Sequence, residues 1–252
     1  MKPVYLLIDI GNQNAKWQFG DEKGTFPSRH SEFNQTLTQS FGHLNHVSGV
    51  LFVSVADQTC TNILQSFVTA KWNVEAFQVT PKEEQCGVRN CYREISELGA
   101  DRWAALIGAW SVYQSAAVIV DCGTAVTVDA LTAKGEFIGG SILPGFELAR
   151  DSLWQRAPGI REFNALSPEL PARSTVEAVS SGVVYTTVGG VELLVQKYSE
   201  LVGGTPKLLL TGGTCSLITE HSSYNFEMVS NLTLIGLEVI SRTIRQQPTN
   251  EQ

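Results

Sequence analysis

The chain has 252 residues, of which 43% are hydrophobic and 17% charged, and its formal net charge is −7. These values are ordinary for a soluble globular protein and allow one large domain or two smaller ones. The acidic balance argues against a nucleic-acid-binding surface, which is normally basic. No apolar run is long enough to predict a bilayer-spanning helix, and Met1 to Ile8 is too short for a secretion signal. Five cysteines without paired zinc spacing predict free thiols in a reducing, cytoplasmic compartment.

The first apolar strand of the chain contains a carboxylate. Residues 6–19 read LLIDIGNQNAKWQF, and Asp9 lies among leucine and isoleucine residues. A buried carboxylate needs a hydrogen-bonded partner, a cation, or a place at the strand end facing a cleft. Alternation through Trp17 and Phe19 into a turn at residues 20–24 predicts a second strand, and a third one beyond the turn.

The same pattern recurs in residues 116–145, where an apolar strand again ends in an aspartate. A turn near residues 134–135 leads into a further strand there. One constant offset of 112 residues relates the two motifs, which are Asp9-x-Gly11-Asn12 and Asp121-x-Gly123-Thr124. An internal repeat of this length predicts two similar domains, at residues 1–114 and 115–252.

Helical and strand periodicities follow each motif. Helices are predicted at residues 59–72, 101–114, 174–201 and 234–245, and strands at 48–57, 74–80 and 207–213. Strands in a meander followed by alternating helices and strands predict a mixed sheet covered by helices, formed twice. The last residues, 246–252, are typical of a frayed tail.

Two related halves that each open with strand–Asp–x–Gly–[Asn/Thr] resemble the actin-like phosphotransferases. The resemblance implies an α/β fold of two RNase H-like, actin-type domains, each a mixed five-stranded sheet flanked by helices. The residue types suit this chemistry, because glycine lets the backbone approach a phosphate closely and successive amides can hold its oxygens. A strand-end aspartate can bind Mg²⁺ beside nucleotide phosphates. We therefore expect Asp9 to face a cleft between the domains and to organise a metal–phosphate group.

Five further segments narrow the resemblance. They are GVRNCYREISELGADRW (87–103), DCGTAVTVD (121–129), GGSILPG (139–145), STVEAVSSG (174–182) and LLLTGG (208–213). Together, and in this order, they resemble the type III pantothenate kinases, the first enzymes of coenzyme A synthesis in many bacteria. The resemblance extends from about Val4 to Glu238.

The resemblance implies ATP-dependent phosphorylation of pantothenate to 4'-phosphopantothenate. The ATP-binding residues that it implies are Asp9, Ile10, Gly11, Asn12, Gln13, Asn14, Ala15, Lys16 and Thr124. The implied pantothenate-binding residues are Tyr92, Gly99, Ala100, Asp101, Arg102 and Thr175, with Asp101 as the general base. Asp9 would hold Mg²⁺ with ATP, and Asp121 would hold a monovalent cation, K⁺ or NH₄⁺. The family implies a cytoplasmic homodimer whose substrate site lies close to the subunit interface, with no nucleic-acid or membrane partner.

Elementary chemistry is consistent with these roles. Asp101 lies near the start of a predicted helix, whose dipole favours the ionised carboxylate. Arg102 can offer several donors to a carboxylate or phosphate, and Tyr92 and Thr175 can supply hydroxyls. Simpler interpretations exist for the same residues: Asp101 as a helix N-cap, Arg102 as a solvated charge and Tyr92 as a core residue with a wet hydroxyl.

Three positions depart from the family pattern, and two other functions stay open. Gln13 stands where a small hydroxyl residue is usual, Ile95 where proline is common, and Ser174 where asparagine is common. One alternative function is a non-catalytic actin-like regulator, such as a transcription accessory protein. The other is an actin-like kinase for a different small hydroxylated acid or sugar.

Overall fold

A computed structural model of the chain describes residues 4–29 and 32–244. Within these residues the strands are β1 (Tyr5–Ile10), β2 (Asn14–Phe19), β3 (Glu22–Pro27), β4 (Gly49–Ser54), β5 (Ala76–Gln78), β6 (Glu84–Gln85), β7 (Val88–Asn90), β8 (Ala117–Cys122), β9 (Ala125–Leu131), β10 (Glu136–Pro144), β11 (Lys207–Gly212) and β12 (Glu227–Met228). The helices are α1 (Phe33–Phe41), α2 (Gln58–Trp72), α3 (Ala100–Tyr113), α4 (Phe146–Arg156), α5 (Thr175–Val202), α6 (Cys215–His221) and α7 (Leu232–Ile244). Arg245, which ends the last predicted helix, and the predicted tail at 246–252 lie outside the described residues.

The chain divides into two compact units, and the first of them is discontinuous. The first unit extends to Gln114 and resumes at Asn231, whereas the second unit runs from Ser115 to Ser230. The predicted domain boundaries assign residues 231–252 to the second domain, so the structure differs from the prediction at this point.

Close packing of α7 against α3 explains why the end of the chain returns to the first unit. A Cβ atom added at Gly236 would collide with the carbonyl oxygen of Ala104, and one added at Gly108 would collide with that of Leu232. Because both helices carry glycine at the contact, their backbones approach closely enough to pack. Leu237 and Ile240 on α7 are buried in the same arrangement.

In the first unit the five strands have the order β3-β2-β1-β4-β5. β1 pairs antiparallel with β2 and parallel with β4, which gives the predicted mixed sheet. Alternate residues of β1 (Leu6, Ile8 and Ile10) are buried in one cluster with residues of α1 and α2. Since side chains alternate across a strand, Asp9 lies on the opposite face of this sheet. The turn between β2 and β3 is shorter than predicted, because β3 already begins at Glu22.

The second unit repeats this arrangement. Its strands have the order β10-β9-β8-β11-β12 within a sheet of seven strands, whereas a five-stranded sheet was expected. In this sheet β8 pairs antiparallel with β9 and parallel with β11. Val118, Val120 and Cys122 of β8 are buried together with apolar residues of α5. Asp121 therefore lies on the opposite face of its sheet, as Asp9 does in the first unit. Two mixed sheets flanked by helices confirm the predicted α/β fold class, although the second sheet has more strands than predicted.

Helix α5 departs from the prediction that no apolar run could span a bilayer. It has 28 residues, and its most apolar 18-residue window has a mean hydropathy of 1.4, which meets the length and composition of a membrane span. Half of that window is buried inside the protein. Val184, Val191 and Val195 are fully buried against the sheet of the second unit, so the hydropathy of α5 matches that of a core helix.

Candidate active site

The first predicted phosphate loop forms the turn between β1 and β2. Gly11 donates its backbone N–H to the carbonyl oxygen of Asn14 over 3.1 Å, which closes the turn. A Cβ atom at Gly11 would lie 2.9 Å from that oxygen, so the close approach favours glycine. Asn12, Gln13 and Asn14 are exposed, which leaves their polar groups accessible to a ligand.

Asp9 lies half-buried at the end of β1, one residue before the strand finishes. In the sheet it is directly opposite Lys16 on β2 and Val53 on β4. Side chains directly opposite each other in an antiparallel pair lie on the same face, about 5 Å apart at Cβ. Lys16 therefore places a positive charge beside Asp9, and Ala15 between them in sequence is buried on the other face. A single strand-end carboxylate beside exposed amides fits a Mg²⁺ ion that is otherwise held by nucleotide phosphates.

One residue that contacts the loop is absent from the predicted site. Ser28 follows β3 and is 3% exposed. Its hydroxyl donates a 2.6 Å hydrogen bond to the carbonyl oxygen of Gly11, and its backbone N–H donates a 3.0 Å bond to that of Gln13. Nothing in the sequence near Ser28 indicates these contacts, because they depend on how β3 returns to the turn.

The second predicted loop is the turn between β8 and β9. Gly123 donates its N–H to the carbonyl oxygen of Ala125 over 3.0 Å, and Gly145 donates to that of Thr124 over 3.0 Å. Thr124 is exposed at the tip of the turn. A Cβ atom at Gly145 would collide with the carbonyl of Thr124, so glycine there lets the chain pass directly under the turn.

Asp121 lies in a row of oxygen-bearing side chains across three strands. It is opposite Thr127 on β9 and Thr211 on β11. Within the part of the chain that the structure describes, the buried hydroxyl of Thr127 has no hydrogen-bond partner. Hydroxyl and carboxylate oxygens suit a hard cation, and the unpartnered hydroxyl fits a ligand added from outside the chain. No group of three His, Cys, Asp or Glu residues that could hold a metal occurs among residues 4–29 and 32–244, so a cation here would depend on further oxygen ligands.

Asp101 lies in the first turn of α3, where the N-cap is Gly99 and no side chain caps the helix. Its Oδ1 atom accepts a 2.8 Å hydrogen bond from the backbone N–H of Arg102. A Cβ atom at Gly99 would lie 2.6 Å from that Oδ1, so Gly99 makes room for the carboxylate. The interpretation of Asp101 as the N-cap is therefore wrong, and its place in the first turn is one where the helix dipole favours the anion. Ala100, also predicted to line the pocket, is the first residue of α3.

Arg102 and Tyr92 form one contact. Arg102 is 8% exposed, and its Nη1 atom donates a 3.1 Å hydrogen bond to the Tyr92 hydroxyl. The guanidinium carbon also lies 5.8 Å from the centre of the Tyr92 ring, within range of a cation–π interaction. The interpretation of Arg102 as a solvated surface charge is wrong. Asn90 fixes the loop that follows β7 and carries Tyr92. Its Oδ1 accepts from the N–H of Tyr92 over 3.0 Å, and its amide donates to the carbonyl of Ile95 over 3.4 Å.

The remaining predicted residue, Thr175, is the exposed first residue of α5. Ser174 is the N-cap of this helix, and its hydroxyl accepts a 3.2 Å hydrogen bond from the N–H of Glu177, so it retains the hydrogen bond expected of asparagine there. The predicted residues thus fall into two sets. The first unit holds residues 9–16, Tyr92 and residues 99–102, and the second unit holds Asp121, Thr124 and Thr175.

Comparison with known proteins identifies one family that this chain resembles over most of its length. The model of the family described as type III pantothenate kinase matches residues 5–197. A type III pantothenate kinase of Aromatoleum aromaticum is 40% identical over 242 residues, which cover 95% of this chain and 98% of that protein.

Similarity to solved structures extends over the whole fold. A conserved Campylobacter jejuni protein, proposed to be a Baf family transcriptional activator, matches with a TM-score of 0.60 and 23% identity, covering 96% of this chain and 100% of that one. MreB 5 of Spiroplasma citri bound to AMPPNP matches with a TM-score of 0.53 and 9% identity, covering 98% of each chain. At these identities the two structures establish the actin-like fold alone. The family model and the close relative together establish that the chain belongs to the type III pantothenate kinase family.

Proposed function

We propose that the protein transfers the γ-phosphoryl group of ATP to the primary hydroxyl of pantothenate and forms 4'-phosphopantothenate, the first step of coenzyme A synthesis. One observation carries the proposal. The family match over residues 5–197 spans residues 9–16, 92, 99–102, 121, 124 and 175, which the family resemblance assigns to ATP, to the cation and to pantothenate. No specific observation favours the non-catalytic regulator or a kinase for another substrate.

Asp101 is the proposed general base. Phosphoryl transfer depends more on in-line positioning and charge neutralisation than on a strong base, so an ionised aspartate suffices to accept the hydroxyl proton. One carboxylate oxygen of Asp101 accepts the N–H of Arg102, which fixes the orientation of the group. The second oxygen is then the acceptor that we assign to the substrate hydroxyl. Gly99 supports this role, since a larger residue would displace the carboxylate.

Arg102 is the proposed anchor for the carboxylate of pantothenate. Its guanidinium is largely removed from water, and the Tyr92 hydroxyl engages one of its nitrogens. Charge-assisted hydrogen bonds to a carboxylate are stronger at such a site than at an exposed one. The Tyr92 hydroxyl holds the guanidinium in place. Thr175 is a further residue that we assign to pantothenate.

The two turns are the proposed sites for the nucleotide and its cations. Residues 9–16 and Thr124 would bind the phosphates of ATP, and Asp9 would hold Mg²⁺ together with them. Asp121, with the hydroxyls of Thr127 and Thr211, would hold K⁺ or NH₄⁺. The cations would neutralise phosphate charge, and the protein groups would orient the phosphate for attack.

We also propose a cytoplasmic homodimer without nucleic-acid or membrane partners. Five free cysteines support a reducing compartment, and the net charge of −7 opposes nucleic-acid binding. One side of α5 presents small and apolar residues that are exposed in the single chain, namely Ala178, Gly182, Tyr185, Gly189 and Leu193. Their spacing places them on one helix face, which supports packing against a second copy. Sedimentation should show a dimer at micromolar concentration, and an active monomer would contradict this part of the proposal.

The kinase proposal is tested by choice of acceptor. Purified protein with ATP, Mg²⁺ and K⁺ should release ADP in the presence of pantothenate. It should release ADP at background rate with an analogue that lacks the primary hydroxyl, or with a simple sugar. Equal rates with the sugar would support the alternative kinase, and ATP binding without turnover on any acceptor would support the regulator.

A further inference from the structure

Ser28 is buried beneath the β1–β2 turn and donates to two of its carbonyl groups. The hydroxyl reaches the oxygen of Gly11 at 2.6 Å, and the backbone N–H reaches the oxygen of Gln13 at 3.0 Å. At 3% exposure, Ser28 makes these bonds where water competes little. A single residue therefore fixes the orientation of two peptide planes in the turn.

The orientation of those planes determines where their amides point. In a trans peptide the C=O of one residue and the N–H of the next point in opposite directions. Since the carbonyls of Gly11 and Gln13 point toward Ser28, the N–H groups of Asn12 and Asn14 point away from it. Two amides directed to one side of a glycine-containing turn form a concavity that suits an anion.

Ser28 is itself held in place from below. The thiol of Cys60 on α2 donates to the carbonyl oxygen of Ser28 at 3.6 Å. Burial, followed by the nearby Asp57 carboxylate, raises the pKa of the Cys60 thiol, so the thiol keeps the proton that it donates. Cys60 on α2 therefore holds Ser28, and Ser28 in turn holds the β1–β2 turn.

The internal repeat shows which part of this arrangement is special to the first unit. Ser28 follows Pro27, the last residue of β3, as Gly145 follows Pro144, the last residue of β10. Each donates its backbone N–H to a carbonyl of the turn above it. Gly145 has no side chain, so it cannot make the hydroxyl bond that Ser28 makes in the first unit.

We propose that Ser28 is a positioning residue for ATP, whose hydroxyl orients the amides of the β1–β2 turn toward the nucleotide phosphates. This inference rests on the proposed function, because it takes that turn as the phosphate loop. Ser28 contacts the loop carbonyls and acts on the phosphates only through the amides. Its removal should therefore weaken phosphate binding and leave binding of the nucleoside part unchanged.

The test compares ATP with adenosine by calorimetry in the presence of Mg²⁺. Ser28→Ala should bind ATP about tenfold more weakly, the worth of one buried hydrogen bond, and should bind adenosine as the wild type does. In turnover its KM for ATP should rise while its KM for pantothenate stays unchanged. Ser28→Thr keeps the hydroxyl and should restore ATP affinity to within about threefold of wild type. If Ser28→Ala does not fold, Ser28→Cys, a weaker donor, should show a smaller loss with the same selectivity.

Ser241→Ala is the matched control. Ser241 is 1% exposed in the same unit, and its hydroxyl also donates to a backbone carbonyl, that of Glu238 at 2.7 Å. This variant should bind both ligands as the wild type does. If Ser28→Ala loses the same affinity for ATP and for adenosine, or loses affinity for neither, the inference is overturned. A wild type that binds ATP but does not phosphorylate pantothenate would overturn the proposed function alone, and one that binds no ATP would overturn both.

Discussion

The β1–β2 turn and the β8–β9 turn have the same frame and differ in what surrounds it. Each follows a strand with an aspartate next to its last residue, and each is supported by the residue after a proline, Ser28 or Gly145. Below the first turn, Ser28 adds a hydroxyl that bonds the carbonyl of Gly11, whereas Gly145 below the second turn offers only its backbone N–H. The two turns thus share the backbone support and differ in the side chains on it.

The rows of side chains beside the two aspartates differ more strongly. Asp9 lies between Lys16 and Val53, and Asp121 lies between Thr127 and Thr211. The first row contains its own positive charge, while the second offers hydroxyls in its place. The same strand position therefore suits two uses. The charge of Asp9 is balanced by Lys16, which suits the proposed place beside Mg²⁺–ATP. Asp121 has hydroxyl neighbours instead, with which it can share an added monovalent cation.

Neither turn carries the group that we assign to the chemical step, so the largest effect should come from α3. Asp101→Asn keeps the oxygen that accepts the Arg102 N–H but loses the basic carboxylate. It should lower kcat by about two to four powers of ten, as expected for loss of a general base, with ATP affinity and melting temperature nearly unchanged. Steady-state kinetics and a thermal melt measure both quantities.

Asp57→Asn is a matched control for this change. Asp57 caps α2 in the same unit, and its Oδ1 accepts the N–H of Thr59 at 2.7 Å, a bond that asparagine can keep. Its kcat should equal that of the wild type. An Asp101→Asn variant that turns over as fast as Asp57→Asn would remove Asp101 from the chemical step.

The second largest effect should separate the two aspartates by their response to potassium. Asp121→Ala should abolish stimulation by K⁺ and raise the KM for ATP about tenfold, because a charge-assisted contact near the phosphates is lost. Lys16→Met, which changes the other row, should leave the concentration of K⁺ for half-maximal stimulation unchanged. Full activity in sodium-only buffer, with a normal Asp121→Ala variant, would show that the two rows do not differ in this way.

A smaller effect is expected at Thr127, with opposite signs for stability and function. Thr127→Val replaces a buried, unpartnered hydroxyl with a methyl group of similar size. Without K⁺ it should stabilise the protein by about 1 kcal/mol, since the desolvation cost of the hydroxyl disappears. It should also raise the K⁺ concentration for half-maximal stimulation about threefold or more, because one oxygen ligand is lost. A variant that is less stable without K⁺ would indicate that the hydroxyl is already satisfied.

The smallest effect concerns Glu192 on α5, a carboxylate that receives donors from its own chain. The backbone N–H and hydroxyl of Ser223 and the hydroxyl of Ser222 lower its pKa from the ordinary value near 4.5. The carboxylate thus stabilises the fold above that value, and this contribution is lost as the pH falls through the lowered pKa. Glu192→Gln should lower the melting temperature by about 3 °C at pH 7 and by less near pH 4, with no change in K⁺ response. A difference in melting temperature between wild type and Glu192→Gln that stays constant with pH would show that the charge of Glu192 contributes nothing to stability.

Local sequence patterns were sufficient for the parts of the site that lie in consecutive residues. Asp9 and Gly11 follow an apolar run, and the offset to Asp121 identifies the second copy, because strand-end aspartates and turn glycines have local signatures. The side-chain rows were not predictable in the same way. Thr127 is six residues from Asp121 and Thr211 is ninety, and their adjacency depends on strand register, which the sequence alone leaves open.

Contacts that depend on tertiary packing explain the other differences. The bonds from Ser28 to the turn require β3 to return beneath it, and no residue type near Ser28 marks that path. The apolar periodicity of α7 predicts a helix but not its partner, which is set by the meeting of Gly236 with α3. Helices α1, α4 and α6 lie outside the predicted helices. Helix α1 lacks the usual end signals, because it has no acidic residue in its first turn, no basic residue in its last turn and no side-chain cap.

The most direct test of the central claim is the stoichiometry of phosphoryl transfer, followed by phosphorus NMR in one reaction. Wild-type protein with Mg²⁺, K⁺, ATP and pantothenate should form one phosphate monoester of pantothenate for each ADP. Asp101→Asn should form the same ester at a rate lower by about two to four powers of ten. ADP that appears with inorganic phosphate and no ester, or ATP that stays intact while bound, would contradict the assignment of this protein as a pantothenate kinase.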